Sequence, residues 1–246
     1  MSTAQGQHVW YELMTTDTKA AQAFYTQVVG WSAADSGMPG MDYTLLSAGS
    51  HQIAGLMELP AEACAMGARP GWIGYVAVAD VDAMAAQVQA AGGQVHKPAE
   101  DIPGVGRFAV VADPGGASFC LFRGLSAEAP PAALPGTPGT MGWHELHAED
   151  GTREWGFYSA LFGWAKDITM DMGALGVYQL FRTGGAEAAG GIMTRMPGMP
   201  QSFWLYYVNV DAIDAAVARI TGAGGQVING PMEVPGARTN SAPPVR

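Results

Sequence analysis

The segment GWHELHAED, residues 142–150, brings His144, Glu145 and His147 within four residues. Imidazole and carboxylate side chains close together do two kinds of chemistry. They ligate a divalent metal, or they move protons. The zinc-protease signature H-E-x-x-H places its two histidines one helical turn apart, and H-E-L-H does not have that spacing. On a strand, alternate side chains share a face. Trp143, Glu145 and His147 then point one way, and His144 and Leu146 the other. Glu145 and His147 together fall short of the three or four convergent donors of a metal centre. An acid/base pair is what that face retains.

The element that carries this cluster occurs twice. VWYELMTTDTKAAQAFYTQVVGW (9–31) matches GWHELHAEDGTREWGFYSALFGW (142–164) at Trp10/Trp143, Glu12/Glu145, Leu13/Leu146, Asp17/Asp150, Phe24/Phe157, Tyr25/Tyr158, Gly30/Gly163 and Trp31/Trp164. Further on, YVAVADVDAMAAQVQAAGGQV (75–95) aligns without a gap to YVNVDAIDAAVARITGAGGQV (207–227). The chain is read as a duplication. The first domain is expected over 1–124 and the second over 141–246. The Pro-, Gly- and Ala-rich stretch 125–140 joins them as a linker.

Each half reads as two passages of strand, helix, strands. Val9–Met14 is strand-like. Asp17 suits an N-cap, Thr18–Val29 carries an apolar stripe, and Gly30 falls at the C′ position. Tyr43–Ser47 and Gln52–Glu58 form a hairpin. Trp72–Ala79 is a strand, followed by a helix ending at Gly92-Gly93. Val105–Ala112 and Ala117–Phe122 pair across the ADPGGA turn. The fold class is α+β, with four βαβββ modules. The last module lacks a counterpart of the ADPGGA hairpin. Its alignment runs to Val234–Gly236 and gives way to ARTNSAPPVR, which has no strand pattern. A missing hairpin opens a sheet edge, which leaves room for a partner-completed homodimer.

Composition narrows the function classes. The net charge of −10 over 246 residues, without a Lys/Arg cluster, argues against nucleic acid or an anionic membrane as partner. No apolar run approaches the ~20 residues of a membrane span. The start MSTAQGQHVW lacks the pattern of a signal peptide. Cys64 and Cys120 make no disulfide framework, so a cytoplasmic setting is expected.

FYTQVVGW, FYSALFGW, AAGGQV and VADPGGASFCLF resemble the glyoxalase/bleomycin-resistance/dioxygenase superfamily, the vicinal oxygen chelate proteins. The resemblance spans nearly the whole chain as two tandem domains. It implies paired βαβββ modules whose sheets curl around a cavity. Many members bind a divalent metal through inward His and Glu residues. Carried over one by one, those ligand positions fall at Trp10 and Trp143 on the first strands, Gly74 and Tyr206 on the second-module strands, and Cys120 on the terminal strand. Glu58 is the one hairpin candidate able to ligate. Trp, Gly and Tyr at those places imply a departure from the metal pattern, so no metal ligand is assigned and no cofactor is expected.

By the same resemblance the Trp143 face lines the cavity. In the first half it displays Trp10 and Glu12 with Trp72; in the second, Trp143, Glu145 and His147 with Trp204 and Tyr206. Cys120 joins these as a ligand-binding candidate or a buried thiol. A carboxylate in such a place is hydrogen-bonded or neutralised. Glu12 and Glu145 either hold the domain together or act as acid or base. The expectation is a metal-independent protein that binds a small organic molecule in an aromatic-lined pocket. The alternative is an enzyme of lyase, isomerase or dioxygenase type. It would use Glu145 with His147, or Glu12, with or without an atypically bound divalent metal. A scaffold with filled pockets is the third reading. MTRMPGMP, 193–200, reads as a loop over a cavity or an edge.

Overall fold

The computed structural model describes residues 5–125 and 133–233. The first module runs β1 (His8–Thr15), α1 (Thr18–Val29), β2 (Ser32–Asp35), β3 (Tyr43–Ala48) and β4 (His51–Glu58). A short α2 (Ala61–Ala65) leads to the second: β5 (Gly71–Ala77), α3 (Val81–Ala90), β6 (Gln94–Ile102), β7 (Gly106–Ala112) and β8 (Ser118–Gly124). The third is β9 (Met141–Ala148), α4 (Gly151–Phe162), β10 (Ala165–Asp171), β11 (Val177–Arg182) and β12 (Gly190–Thr194). The fourth begins with β13 (Phe203–Val208) and α5 (Ile213–Gly222). Among the described residues no strand follows α5. The segments Val234–Gly236 and ARTNSAPPVR lie outside the described residues, as do 126–132 of the linker.

The strands form two mixed sheets. One has eight strands, ordered β2-β3-β4-β1-β5-β8-β7-β6, and the other five, ordered β10-β11-β12-β9-β13. This is the α+β arrangement expected from the repeats. No helix is long and apolar enough to cross a membrane, among the described residues.

Local chemistry sets the repeated strand–helix turn. Asp17 Oδ1 accepts from the Ala20 amide at 2.9 Å. Asp150 Oδ1 accepts from the Thr152 and Arg153 amides at 2.9 and 3.1 Å. Each cap satisfies amides that the first helical turn cannot pair, a contribution of about 1 kcal/mol. Both helices end on a left-handed glycine, Gly30 at φ 85° and Gly163 at φ 68°, where a side chain would be strained.

The described residues of Met1–Val9, Ile73–Pro130 and His144–Leu205 form one compact unit, and those of Trp10–Trp72, Pro131–Trp143 and Tyr206–Arg246 another. Each contains the same aromatic device. In the second unit, Trp72 Nε1–H donates to the Tyr25 hydroxyl at 2.8 Å, and Trp31 Nε1–H donates to the Gly139 carbonyl at 2.7 Å. In the first, Trp204 Nε1–H donates to the Tyr158 hydroxyl at 3.0 Å, and Trp164 Nε1–H donates to the Gly6 carbonyl at 2.8 Å. The indoles bury large area while keeping their one polar atom bonded, as buried Trp requires. The duplication read from the sequence thus extends to individual hydrogen bonds.

Candidate functional site

Glu145 and His147 are next-but-one neighbours on β9, so the pleat turns them to the same side. His147 Nε2 lies 2.8 Å from Glu145 Oε1, and both side chains are buried. A carboxylate can only accept, so the imidazole Nε2–H is assigned as the donor. The second carboxylate oxygen, Oε2, accepts from the Tyr178 hydroxyl at 3.0 Å. The Phe203 ring lies nearly parallel to the imidazole, with centroids 4.7 Å apart. Backbone, hydrogen bond and ring stacking therefore fix the imidazole plane. With Nε2–H committed to Glu145, the neutral ring presents the lone pair of Nδ1. That atom is buried and has no hydrogen-bond partner. One ring nitrogen is thus held by a carboxylate, and the other is buried and unpaired.

Tyr178 reaches Glu145 because of a glycine. Glu145 on β9 stands opposite Gly191 on the parallel strand β12. A Cβ at Gly191 would sit 2.2 Å from the Tyr178 ring, so the phenol crosses the strand where a side chain is missing. The first module repeats the device. Glu12 is opposite Gly55, and a Cβ there would lie 1.8 Å from the Tyr43 hydroxyl. There the Tyr43 hydroxyl accepts from Trp10 Nε1–H at 3.0 Å. Glu12 is buried, and Met14 stands at the position of His147. The two Glu positions are thus built alike, but the second nitrogen base occurs in one module alone.

The sequence did not point to Tyr178 or Gly191. Tyr178 lies 33 residues from Glu145, beyond any local periodicity. The usable signal was the paired recurrence of Tyr43/Tyr178 and Gly55/Gly191 between the halves.

Trp72 and Trp204 are corrections. Both were expected on the face of the first-strand glutamates. Trp204 instead packs edge-on to Tyr158, Trp164 and Phe181, beneath α4. Trp72 does the same with Tyr25 and Trp31 beneath α1. On β13 it is Phe203 that faces His147, so the alternation puts Trp204 and Tyr206 on the opposite side. Tyr206 meets Tyr11, with ring centroids 5.4 Å apart. Trp10 and Trp143 are half-buried. Cys120 is buried in β8, between Tyr75 of β5 and Val110 of β7.

His144 lies apart from His147, as the strand alternation requires. Its ring stacks on His8 with centroids 4.1 Å apart, and its Nδ1 is 2.7 Å from the Ala189 carbonyl. Burial holds the His144 imidazole down at about pH 4, and it also pushes His8 well below the usual range.

The donor set does not fit a divalent centre of the family type. Among the described residues no three His, Cys, Asp or Glu side chains converge on a point. Both oxygens of Glu145 are engaged, one by His147 and one by Tyr178. Glu58, the hairpin candidate, is exposed at the end of β4.

The fold, the duplicated module and the matches to known proteins converge. Residues 7–121 match the model of the Glyoxalase/Bleomycin resistance protein/Dioxygenase superfamily, and the chain belongs to that superfamily. Over 94% of its length, and 87% of the relative's, it is 36% identical to the CFP32 protein of Mycobacterium tuberculosis, whose name gives a glyoxylase assignment as provisional. It is 32% identical to the anthracycline biosynthesis protein DauV of a Streptomyces species, over 96% of this chain and 88% of that one. Solved structures share the fold. A Mn(II)-bound glyoxalase from Novosphingobium aromaticivorans aligns with TM-score 0.56 and 18% identity, covering 90% of this chain and 71% of that one. A 2,2',3-trihydroxybiphenyl 1,2-dioxygenase from Sphingomonas wittichii gives TM-score 0.60 and 13% identity, covering 92% and 80%.

Proposed function

We propose that the chain binds a small organic molecule at His147 without requiring a divalent metal. The observation that carries this reading is the buried Nδ1 of His147, which has no partner while Nε2 is held by Glu145. A buried polar atom left unpaired costs about 1–3 kcal/mol. A ligand hydroxyl or amide N–H donated to Nδ1 would recover that cost. Membership of the superfamily and the similarity to an anthracycline biosynthesis protein support an organic ligand. Trp10 and Trp143 remain the aromatic candidates on the glutamate face, and Glu12 marks a second, histidine-free position.

A second reading, acid/base catalysis, is favoured by one specific feature. A carboxylate fixed by Tyr178 holds Nε2–H and orients the imidazole. Such a pair takes a proton from a substrate O–H, N–H or activated C–H at Nδ1 and returns it from the same atom. We further propose that sequence halves 1–124 and 141–246 are the two tandem repeats, joined by 125–140, and that the protein works in the cytoplasm, alone or as a homodimer.

The test is titration with an anthracycline aglycone and with smaller hydroxyquinones, in chelator-treated protein. Saturable binding that His147→Ala abolishes supports the reading. Stoichiometric divalent metal in the purified protein, required for binding, overturns its metal-independent part.

A further inference from the structure

The first module builds its own version of the Glu145 face, with one exchange. Trp10, Glu12 and Met14 alternate along β1 and share a side. In register, Glu12 stands opposite Gly55 and Met14 opposite Met57 on the parallel strand β4, and Met57 is opposite Tyr43 on β3. Opposed residues point to the same side of a sheet, so these side chains share one face. The Tyr43 phenol lies across Gly55, where a Cβ would overlap its ring. Its hydroxyl accepts from Trp10 Nε1–H at 3.0 Å. Trp10, Met14, Tyr43 and Met57 are half-buried, and Glu12 is 8% exposed.

The exchange is Met14 for His147. In the third module the glutamate takes one hydrogen bond from an imidazole and one from a phenol. A thioether has no hydrogen to donate, so Met14 cannot do for Glu12 what His147 does for Glu145. The strands of the first module, HVWYELMT, SAAD, YTLLSA and HQIAGLME, carry no lysine or arginine. What the face offers is a buried carboxylate, an indole and a phenol joined by a hydrogen bond, and a pair of soft thioethers. A carboxylate in such a place favours a positive partner. Aromatic ring faces attract cations, and thioethers pack against apolar and aromatic surface. The net charge of −10 also draws cations toward the chain.

We propose that this face is a binding site for a protonated organic amine carried on an apolar or aromatic body. The ammonium N–H donates to Glu12, in the place that the His147 imidazole takes beside Glu145, and meets the Trp10 and Tyr43 rings. The body of the ligand lies against Met14 and Met57. A neutral alcohol of the same shape lacks the charge, so discrimination between the two comes from Glu12. Of the proposed function only the second position at Glu12 enters here; His147 has no part in it.

The experiment is an NMR titration of the whole protein, isotope-labelled at its methionine methyls, with benzylamine at neutral pH and with benzyl alcohol as the uncharged control. Met14→Leu and Met57→Leu assign the two methyl signals. The expected result is a saturable shift of both methyls with benzylamine, and binding of benzyl alcohol at least about tenfold weaker. Glu12→Gln should weaken benzylamine binding by about 10- to 100-fold, the size of a lost hydrogen bond to a charged group, and leave benzyl alcohol as it was. The absence of a saturable shift, equal affinity for amine and alcohol, unchanged amine affinity in Glu12→Gln, or shifts at Met193 in place of Met14 and Met57 overturns the proposal. The comparison of amine with alcohol is read on the wild-type chain, so the test stands even where Glu12→Gln fails to fold. Hydroxyquinone binding at His147 is a separate measurement, and its failure leaves these shifts as they are.

Discussion

The Tyr178 hydroxyl donates to Glu145 Oε2 at 3.0 Å, reaching it over Gly191. One oxygen of the carboxylate is thereby fixed by a phenol and the other by an imidazole. The glutamate read in sequence as one half of an acid/base pair serves as the anchor of a buried hydrogen-bonded chain.

Gly191→Ala tests that anchor. The new methyl would overlap the Tyr178 ring, whose nearest atom is 2.2 Å from the Cβ position. Overpacking of this kind costs about 1–3 kcal/mol. Denaturant unfolding should show that loss, and the Tyr178 hydroxyl proton should leave its hydrogen-bonded NMR position. Unchanged stability with an unmoved Tyr178 would show that the glycine is not what admits the phenol.

Glu145→Ala strands two donors at once, the His147 Nε2–H and the Tyr178 hydroxyl. A loss of about 1–3 kcal/mol for each buried donor left unpaired is expected. Thermal or chemical unfolding measures it. A loss below about 1 kcal/mol, typical of exposed pairs, would place the glutamate in contact with water.

The two tyrosines of α1 and α4, Tyr25 and Tyr158, should differ in proportion to their partners. Tyr158 donates to Asp113 Oδ2 at 3.0 Å and accepts from Trp204 Nε1–H at 3.0 Å. Tyr25 accepts from Trp72, which is half-buried. Tyr158→Phe is expected to cost about 1–3 kcal/mol because it leaves two buried groups unpaired. Tyr25→Phe should cost less. Equal losses in paired denaturation curves would argue that the hydroxyls contribute nothing beyond ring packing.

Acid should act through the stacked histidines. Burial lowers both imidazoles in the folded chain, His144 to about 4. Unfolded histidine titrates near ~6.5. Between those values the unfolded state binds more protons, so the histidines' contribution is intact above ~6.5 and lost as pH falls toward 4. The opposite trend belongs to Glu154, which loses stability as pH rises toward 7. Melting temperatures of wild type and His144→Gln between pH 7 and 4.5 separate the two. The variant should show the shallower fall on the acid side; parallel curves would count against the buried-histidine origin.

Much of the fold was legible because its markers are local. Asp17 and Gly30 bracket α1, and the DPGG turn closes β7 onto β8. The strands β2 and β6 were not read. Ser32–Asp35 is short and lacks apolar alternation, and Gln94–Ile102 is mostly polar, with a proline. Their pairing comes from neighbouring strands. The faces of β1 and β9 followed from alternation, and Glu145 with His147 came together accordingly. The phase of β5 and β13 did not follow. Trp72 and Trp204 look like cavity residues until their indole N–H groups are seen to need Tyr25 and Tyr158. Tyr178 was out of reach because its contact crosses from β11 to β9, over a strand between.

The most direct test of the central claim is the ring nitrogen spectrum of His147 in chelator-treated protein, with and without a bound hydroxyquinone. Nδ1 is expected to shift on binding while Nε2 stays bonded to Glu145, and added divalent metal to change neither. Binding that leaves Nδ1 unmoved, or that appears only when metal is restored, would contradict it.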